Sequence, residues 1–289
     1  MRKLHIILAA INMSILDDEV MKRAMFTAKE TNAQLHFIHT IDIPLMDIEI
    51  TSQYLGKKID KDAIKKKIVH KINALNESKS VEYIVNITIG DASEQVMHMA
   101  EKIHADLIIL GSHSKAKIED YYLGSTVQKI AEESGRPILV IKNSFQGAYK
   151  NILAPTDFSS SSKKSVLFTQ IAFKSSPIIL IHAYKSLDDF TMEFYTLKSN
   201  NEEEYPDFLG RSYADIFKQD VGIRHIDMIK SFSSINKSLL EYIQNKQSDL
   251  IVLGSSGSDI VGSFLSSTAS YLLRNTFTDV LIYIPLNQE

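Results

Sequence analysis

Gly111-Ser-His-Ser114, then nine residues, then Gly124-Ser125-Thr126 at the start of a helical pattern: this spacing could hold an anion. Backbone N–H groups at a helix start, approached through glycine, point at a phosphate with no Cβ in the way. The hydroxyls of Ser125 and Thr126 add donors, and His113 and Ser114 lie inside the loop. Lys115 and Lys117 follow and supply positive charge. A second stretch has the same opening, Gly254-Ser-Ser-Gly257, with Ser267 and Thr268 where its helix begins. Its loop has the opposite charge: between Ser258 and Ser266 there is one acid, Asp259, and no base.

These loops sit within a longer repeat. Ala105 to Ser114 reads ADLIILGSHS and Ser248 to Gly257 reads SDLIVLGSSG. Leu8 to Ser14 matches Leu153 to Ser159, which sets Asn12 opposite Asp157. Leu35 to His39 matches Ile178 to His182. The offset of 143 to 145 residues is far longer than a solenoid period of roughly 20–50, so a whole domain is duplicated. The expected division is 1–145 and 146–289, with Asn143 to Lys150 as a short linker.

Each half alternates apolar runs with helical patterns. In the first, strands are predicted at Ile6–Ile11, Gln34–Ile41, Val81–Ile89, Leu107–Leu110 and Ile138–Ile141, with helices at Asp17–Thr31, 62–76, from Val96 to Ile103, and Ser125–Ser134. Strands without polar alternation, flanked by helices, imply a parallel sheet covered on both faces. In such sheets ligands bind beyond the carboxyl ends of the strands, which is where both repeated loop sets fall. Thr40 and Ala183, one residue past the matching histidines, join the candidate set there. His39 and His182 themselves read as packed, hydrogen-bonded histidines, since no carboxylate or second histidine recurs beside them as a metal site would need.

Composition narrows the function. A net charge of −3 argues against a duplex nucleic-acid binder. The absence of cysteine excludes disulfides and thiolate chemistry. The opening MRKLHIILAAINMSIL has the outline of a signal peptide, but its counterpart at Asn151–Asp157 lies mid-chain, so it reads as a strand. No apolar run reaches the roughly 20 residues of a membrane span, and a cytoplasmic location is expected. No catalytic residue and no metal ligand set is assigned: no paired carboxylates recur, and no Walker A sequence is present. The aromatic residues Phe190, Phe194, Tyr195, Tyr205, Phe208, Tyr213 and Phe217 are expected in core or interface packing, with an apolar-ligand pocket as the alternative.

The glycine spacing, ILAPTDFS at 152–159, the paired ADLIIL and SDLIVL runs, and GRPILVIK at 135–142 together resemble the universal stress protein family, once per half. The resemblance implies two tandem flavodoxin-like (adenine-nucleotide α-hydrolase-like) α/β domains, each with a five-stranded parallel sheet, arranged as a pseudo-dimer through their last strands. It also implies ATP or another adenine nucleotide, with magnesium accompanying it, and an unidentified protein partner. A homodimer is compatible with it. Against the family's pattern, the first half has Asn12 for the aspartate and Ser114 for the second glycine, but keeps Gly124. The second half keeps Asp157, Gly254 and Gly257, and has Ser267 where the third glycine is expected. The expected function is a non-enzymatic, nucleotide-responsive stress protein whose first half holds the better site. The alternatives are a slow ATPase or phosphotransfer enzyme, and a scaffold with decayed sites.

Overall fold

The computed structural model describes residues 3–14, 16–42, 60–76, 80–112, 124–185, 205–232, 234–255 and 265–285, without the side chains of 205–212. The first half runs β1 (Ile6–Ile11), α1 (Asp17–Thr31), β2 (Gln34–Ile41), α2 (Lys61–Leu75), β3 (Tyr83–Ile89), α3 (Ala92–Lys102), β4 (Leu107–Gly111), α4 (Ser125–Glu133) and β5 (Ile138–Ile141). The second repeats this order: β6 (Ile152–Pro155), α5 (Ser160–Ala172), β7 (Ile178–Lys185), α6 (Tyr205–Val221), β8 (Ile226–Ser231), α7 (Ile235–Asn245), β9 (Leu250–Gly254), α8 (Ser267–Asn275) and β10 (Asp279–Tyr283). The strand β3 begins two residues later than its apolar pattern suggests, because Val81 and Glu82 lead into it as irregular chain.

All strands form one ten-stranded sheet in the order β3-β2-β1-β4-β5-β10-β9-β6-β7-β8. Pairing is parallel within each half. At the centre β5 and β10 pair antiparallel, as expected for two apolar strands that would otherwise leave open edges. Val280 lies opposite Val140, Leu281 opposite Leu139 and Ile282 opposite Ile138, so the pseudo-two-fold axis passes through the Leu139–Leu281 pair. One consequence is geometric. The carboxyl ends of β1–β5 lie along one edge of the sheet, and those of β6–β10 along the other.

Alternation along each strand feeds two apolar layers. Ile7, Ala9 and Ile11 face the layer that contains Val20, Ala24, Ile68 and Ile72, together with Val166, Phe217 and Val221. Leu8 faces the other, with Val96, Val127 and Ile130, and with Leu239 and Leu272 of the second half. Phe217, from the aromatic-rich stretch, is a core residue, whereas Tyr213 is exposed. Phe190, Phe194 and Tyr195 lie outside the described residues.

The aspartate of each repeated ADL/SDL run has a structural task. The Asp106 carboxylate accepts from His5 N (2.7 Å) and Ile6 N (2.9 Å), tying the start of β4 to the start of β1. Asp249 does the same for Lys150 N (2.6 Å) and Asn151 N (3.0 Å) in the second half.

The linker is pinned rather than free. Asp279, 2% exposed, accepts from Lys142 N (2.8 Å), Asn143 N (3.0 Å) and the Tyr149 hydroxyl (2.7 Å). The buried Arg23 guanidinium lies 3.7 Å from the Tyr149 ring centre and donates to Gly147 O at 2.7 Å. Lys142 Nζ donates to Leu273 O (2.6 Å) and Thr276 O (2.7 Å), closing the carboxyl end of α8, where a cation also suits the helix dipole.

Burial lowers the Lys142 ammonium to about 8 from 10.5, against the pull of Asp279. The folded chain then gives up this proton before the unfolded chain does, so folding stability rises with pH through that window. Tyr149, raised by burial and by Asp279, works in the opposite sense once the unfolded phenol ionises near pH 10. We therefore expect Lys142 to contribute a stability gain of about 2 kcal/mol between pH 8 and pH 10. Urea unfolding of wild type and Lys142→Met across that range checks it; identical slopes for the two proteins would refute it.

Candidate functional site

At the carboxyl end of β1 the chain turns through Asn12-Met13-Ser14. Met13 has φ +64, a left-handed conformation that a non-glycine residue adopts only when held there. Three contacts hold it. The Asn12 side-chain oxygen accepts from Ser14 N (3.1 Å), and the Asp17 carboxylate accepts from Asn12 N (3.1 Å) and Met13 N (2.7 Å). Asn12 and Met13 remain exposed. Beside the turn, His39 Nδ1 donates to Ile11 O at 3.0 Å, which fixes the ring at the end of β2. The Thr40 hydroxyl bonds the Thr88 hydroxyl across to β3 at 2.9 Å.

The strand β4 is the neighbour of β1, so Gly111 arrives at the same edge. A Cβ at Gly111 would stand 3.4 Å from both Leu16 Cβ and Val20 Cγ2, an ordinary contact, so the start of α1 lies directly against the end of β4. Gly124 N donates to Ser112 O at 3.1 Å, which brings the start of α4 back to the end of β4. Among the described residues no side chain caps α4; Gly124 is its N-cap, Ser125 is exposed and Thr126 is half-buried. Asn12, Gly111, Gly124 and Ser125 are thus gathered at one edge. His113, Ser114, Lys115 and Lys117 lie outside the described residues.

The second half reproduces the turn with different atoms. Phe158 has φ +64, and Ser159 N donates to Asp157 Oδ1 at 3.0 Å. Phe158 N donates to Thr156 Oγ1 (2.9 Å), which in turn bonds Ser162 Oγ (2.9 Å). His182 Nδ1 donates to Thr156 O at 2.7 Å, matching His39, so both histidines are anchored to the turn as their packed reading requires. The exposed Asp157 carboxyl feels burial that would raise its pKa, but hydrogen bonds from Ser159 and Ser162 outweigh this and lower it. The Phe158 ring stacks on His182 with centres 4.3 Å apart and meets Phe217 edge-on at 5.7 Å. Ala183, the next residue of β7, is half-buried.

Gly254 is under tighter constraint than Gly111. A Cβ there would come within 3.1 Å of Ser161 Oγ and 3.3 Å of the Ser161 backbone, while that hydroxyl donates to Ser255 O at 2.5 Å. Gly257 lies outside the described residues.

The position of the third glycine needs a correction. Counting from the shared Gly111 and Gly254 sets Ser267 opposite Gly124. The helices say otherwise: Val127, Ile130 and Ala131 are the buried face of α4, and Ala269, Leu272 and Leu273 that of α8. This register, one residue shorter, pairs Gly124 with Ser266, and both are N-caps. By this register the intervening segment of the second half is one residue shorter. Ser266 Oγ accepts from Ala269 N at 3.1 Å, so a hydroxyl covers the helix start that Gly124 leaves open. Ser267 then corresponds to Ser125 and is likewise exposed, and Thr268, the match of Thr126, donates to Asn236 Oδ1 at 2.9 Å.

Sequence reasoning missed Asp17, Thr156 and Ser162 as the residues that shape the two turns. The ILAPTDFS run contains Thr156, but nothing in the spacing shows that Asp17 replaces its function in the other copy.

With this geometry in hand, comparison with known proteins is direct. The universal stress protein family model matches residues 3–142 and again 148–283. A universal stress protein of Methanocaldococcus jannaschii is 28% identical over 131 residues, 43% of this chain and 74% of its own length. In two further curated relatives the match spans 35% and 41% of their length. The crystal structure of a universal stress protein from Archaeoglobus fulgidus aligns over 96% of this chain and 97% of its own, with a TM-score of 0.66 at 17% identity, a likeness of fold. Another from the same organism, solved in complex with dAMP, covers 49% of this chain with a TM-score of 0.36. Matched twice along its length, the chain belongs to the universal stress protein family, with its two domains in tandem.

Proposed function

We propose that the chain is a nucleotide-responsive binding protein whose adenine-nucleotide site is the edge of the first half. The observation that carries this reading is the start of α4. Its N-cap is a glycine with no side chain to cover it, set beside Asn12 and Gly111 at the carboxyl ends of β1 and β4. Its free end carries about half a positive charge, and the hydroxyls of Ser125 and Thr126 stand at its first turn. Lys115 and Lys117, in the same loop, supply the further charge that a triphosphate needs.

The second half offers less. Its equivalent helix start is capped by Ser266, its loop has an acid and no base, and Phe158 covers one face of His182. Asp157 adds a negative charge near the site. Binding is therefore assigned to the first half, with Asn12, Thr40, Gly111, His113, Ser114, Gly124, Ser125 and Thr126 as its residues. Asp157, Ala183, Gly254, Gly257, Ser267 and Thr268 form the weaker counterpart. In the cell, a protein partner would read occupancy, to the extent that the nucleotide favours one state of the chain over another.

Calorimetric titration of the full chain with ATP and magnesium tests this. One nucleotide per chain is expected, and mass spectrometry of small molecules released from the purified, denatured protein should show an adenine nucleotide. Two equal sites, or none, would refute the assignment.

A further inference from the structure

The two turns after β1 and β6 have one shape and two means of support. In both, a non-glycine residue sits at φ +64, a conformation that costs of order 1–2 kcal/mol and so must be enforced by its surroundings. The second half enforces it with hydroxyls: Phe158 N to Thr156 Oγ1, and Thr156 Oγ1 to Ser162 Oγ. In the first half the place of Thr156 is taken by Ile11, which has no hydroxyl, and that of Ser162 by Asp17. One oxygen of Asp17 takes Asn12 N and the other takes Met13 N.

We infer that Asp17 is the positioning residue of the first-half site, and that it makes binding there answer to a proton at a pH where the hydroxyl-held turn of the second half does not. This rests on the proposed nucleotide site. The chemistry is that of the carboxyl group. Ionised, both oxygens are strong acceptors for N–H bonds; the acid form turns one of them into an O–H, a weak acceptor whose proton points towards a donor. The turn then weakens at Asn12 or Met13, the stretch that meets the ligand. Thr156 and Ser162 do not titrate, and the carboxyl of the second turn, Asp157, accepts Ser159 N and is held below its ordinary value by its hydrogen bonds, so it gives up its charge only at lower pH than Asp17.

Among the described residues, the groups around Asp17 come from α1, β2 and α2. It is 2% exposed at the first turn of α1, where the helix dipole favours its charge. From β2 comes His39, anchored on Ile11 O. From α2 comes Lys71, engaged with Asp18 at 2.7 Å. Glu19, two residues on, binds Lys22 and Phe145 N. The strands β1 and β4 bring no ionisable side chain.

Burial raises the Asp17 carboxyl above its ordinary value in spite of the two amide bonds and the nearby Lys71 and His39. A raised carboxyl means that the folded chain takes this proton more readily than the unfolded chain. Its contribution to stability grows as pH falls through the folded pKa, so loss of binding on acidification is separable from unfolding.

The test uses the full chain with ¹⁵N labelling, together with ATP titrations. As pH falls from neutrality into the acid range, the amides of Asn12 and Met13 should shift together with the Asp17 carboxyl, and the amide of Phe158 should not follow them. ATP affinity should fall by about tenfold over that range beyond any fall seen in the double variant Ile11→Thr with Asp17→Ser, which copies the second half's pair. Titration of the ATP phosphates is common to both proteins and cancels. Asp17→Asn should bind weakly at every pH, and its Asn12 and Met13 amides should lose their common response to pH. Asn12 and Met13 amides that ignore pH, or parallel affinity curves for wild type and the double variant, would overturn the role of Asp17. ATP that binds wild type at no pH, with those amides titrating, would overturn the nucleotide reading and leave the role of Asp17 in the turn standing.

Discussion

Asp279→Ala should lower the free energy of unfolding by about 3 kcal/mol or more, one of the largest losses any single side chain in this molecule can cause. The carboxylate is buried at the seam between halves and accepts three hydrogen bonds, from Lys142 N, Asn143 N and the Tyr149 hydroxyl. Alanine would leave those donors buried without partners, each at a cost of about 1–3 kcal/mol. It would also remove the counter-charge to Arg23 and Lys142, neither of which has ready access to water. Part of the loss is offset, because burial already disfavours the charged form of Asp279 and raises its pKa. Tyr149→Phe, which removes one of the three bonds, should cost about 1–2 kcal/mol. Urea denaturation followed by circular dichroism measures both. A loss below about 1 kcal/mol for Asp279→Ala would show that the seam is held by its apolar strands alone.

Gly124→Val should weaken ATP binding by about 100-fold, near 2.7 kcal/mol, with the fold retained. The backbone at Gly124 has φ −60 and ψ 141, which any residue can adopt. A Cβ would meet Ser112 O at 3.4 Å, an ordinary contact, so the helix start itself is not broken. The branched side chain instead fills the space in front of the N–H groups where a phosphate would lie. The matching change in the other half, Ser266→Val, should leave ATP binding unaltered and cost about 1 kcal/mol of stability, because it removes the cap on Ala269 N. Equal ATP affinity in wild type and Gly124→Val would sink the assignment of this loop.

Much of the fold can be read from local pattern. Apolar runs without polar alternation mark the parallel strands, and Ile138–Ile141 and Val280–Ile284, apolar and last in their halves, already suggest that they meet. The anchored histidines follow from the same repeat. The site is less legible, since its geometry is set by residues that the motif does not contain. Asp17 acts by turning back onto Asn12 and Met13, and its counterpart in the other copy is a different chemical group at Thr156 and Ser162. Ser267 is misplaced by one residue because counting from Gly254 cannot register an intervening segment that is one residue shorter; only the buried face of α8 does. The seam is hidden for another reason. Arg23 meets Gly147, and Lys142 meets Asp279, across more than 120 residues, and no periodicity encodes such contacts.

The antiparallel join of β5 and β10 has a meaning beyond closing two edges. Two identical subunits joined this way would make a particle with interchangeable ends. Here the ends are covalently tied and have diverged, so the molecule is a vector, with a glycine N-cap at one pole and a serine cap at the other. A partner that recognises one pole reads the orientation of the whole molecule, and each chain offers it that pole once.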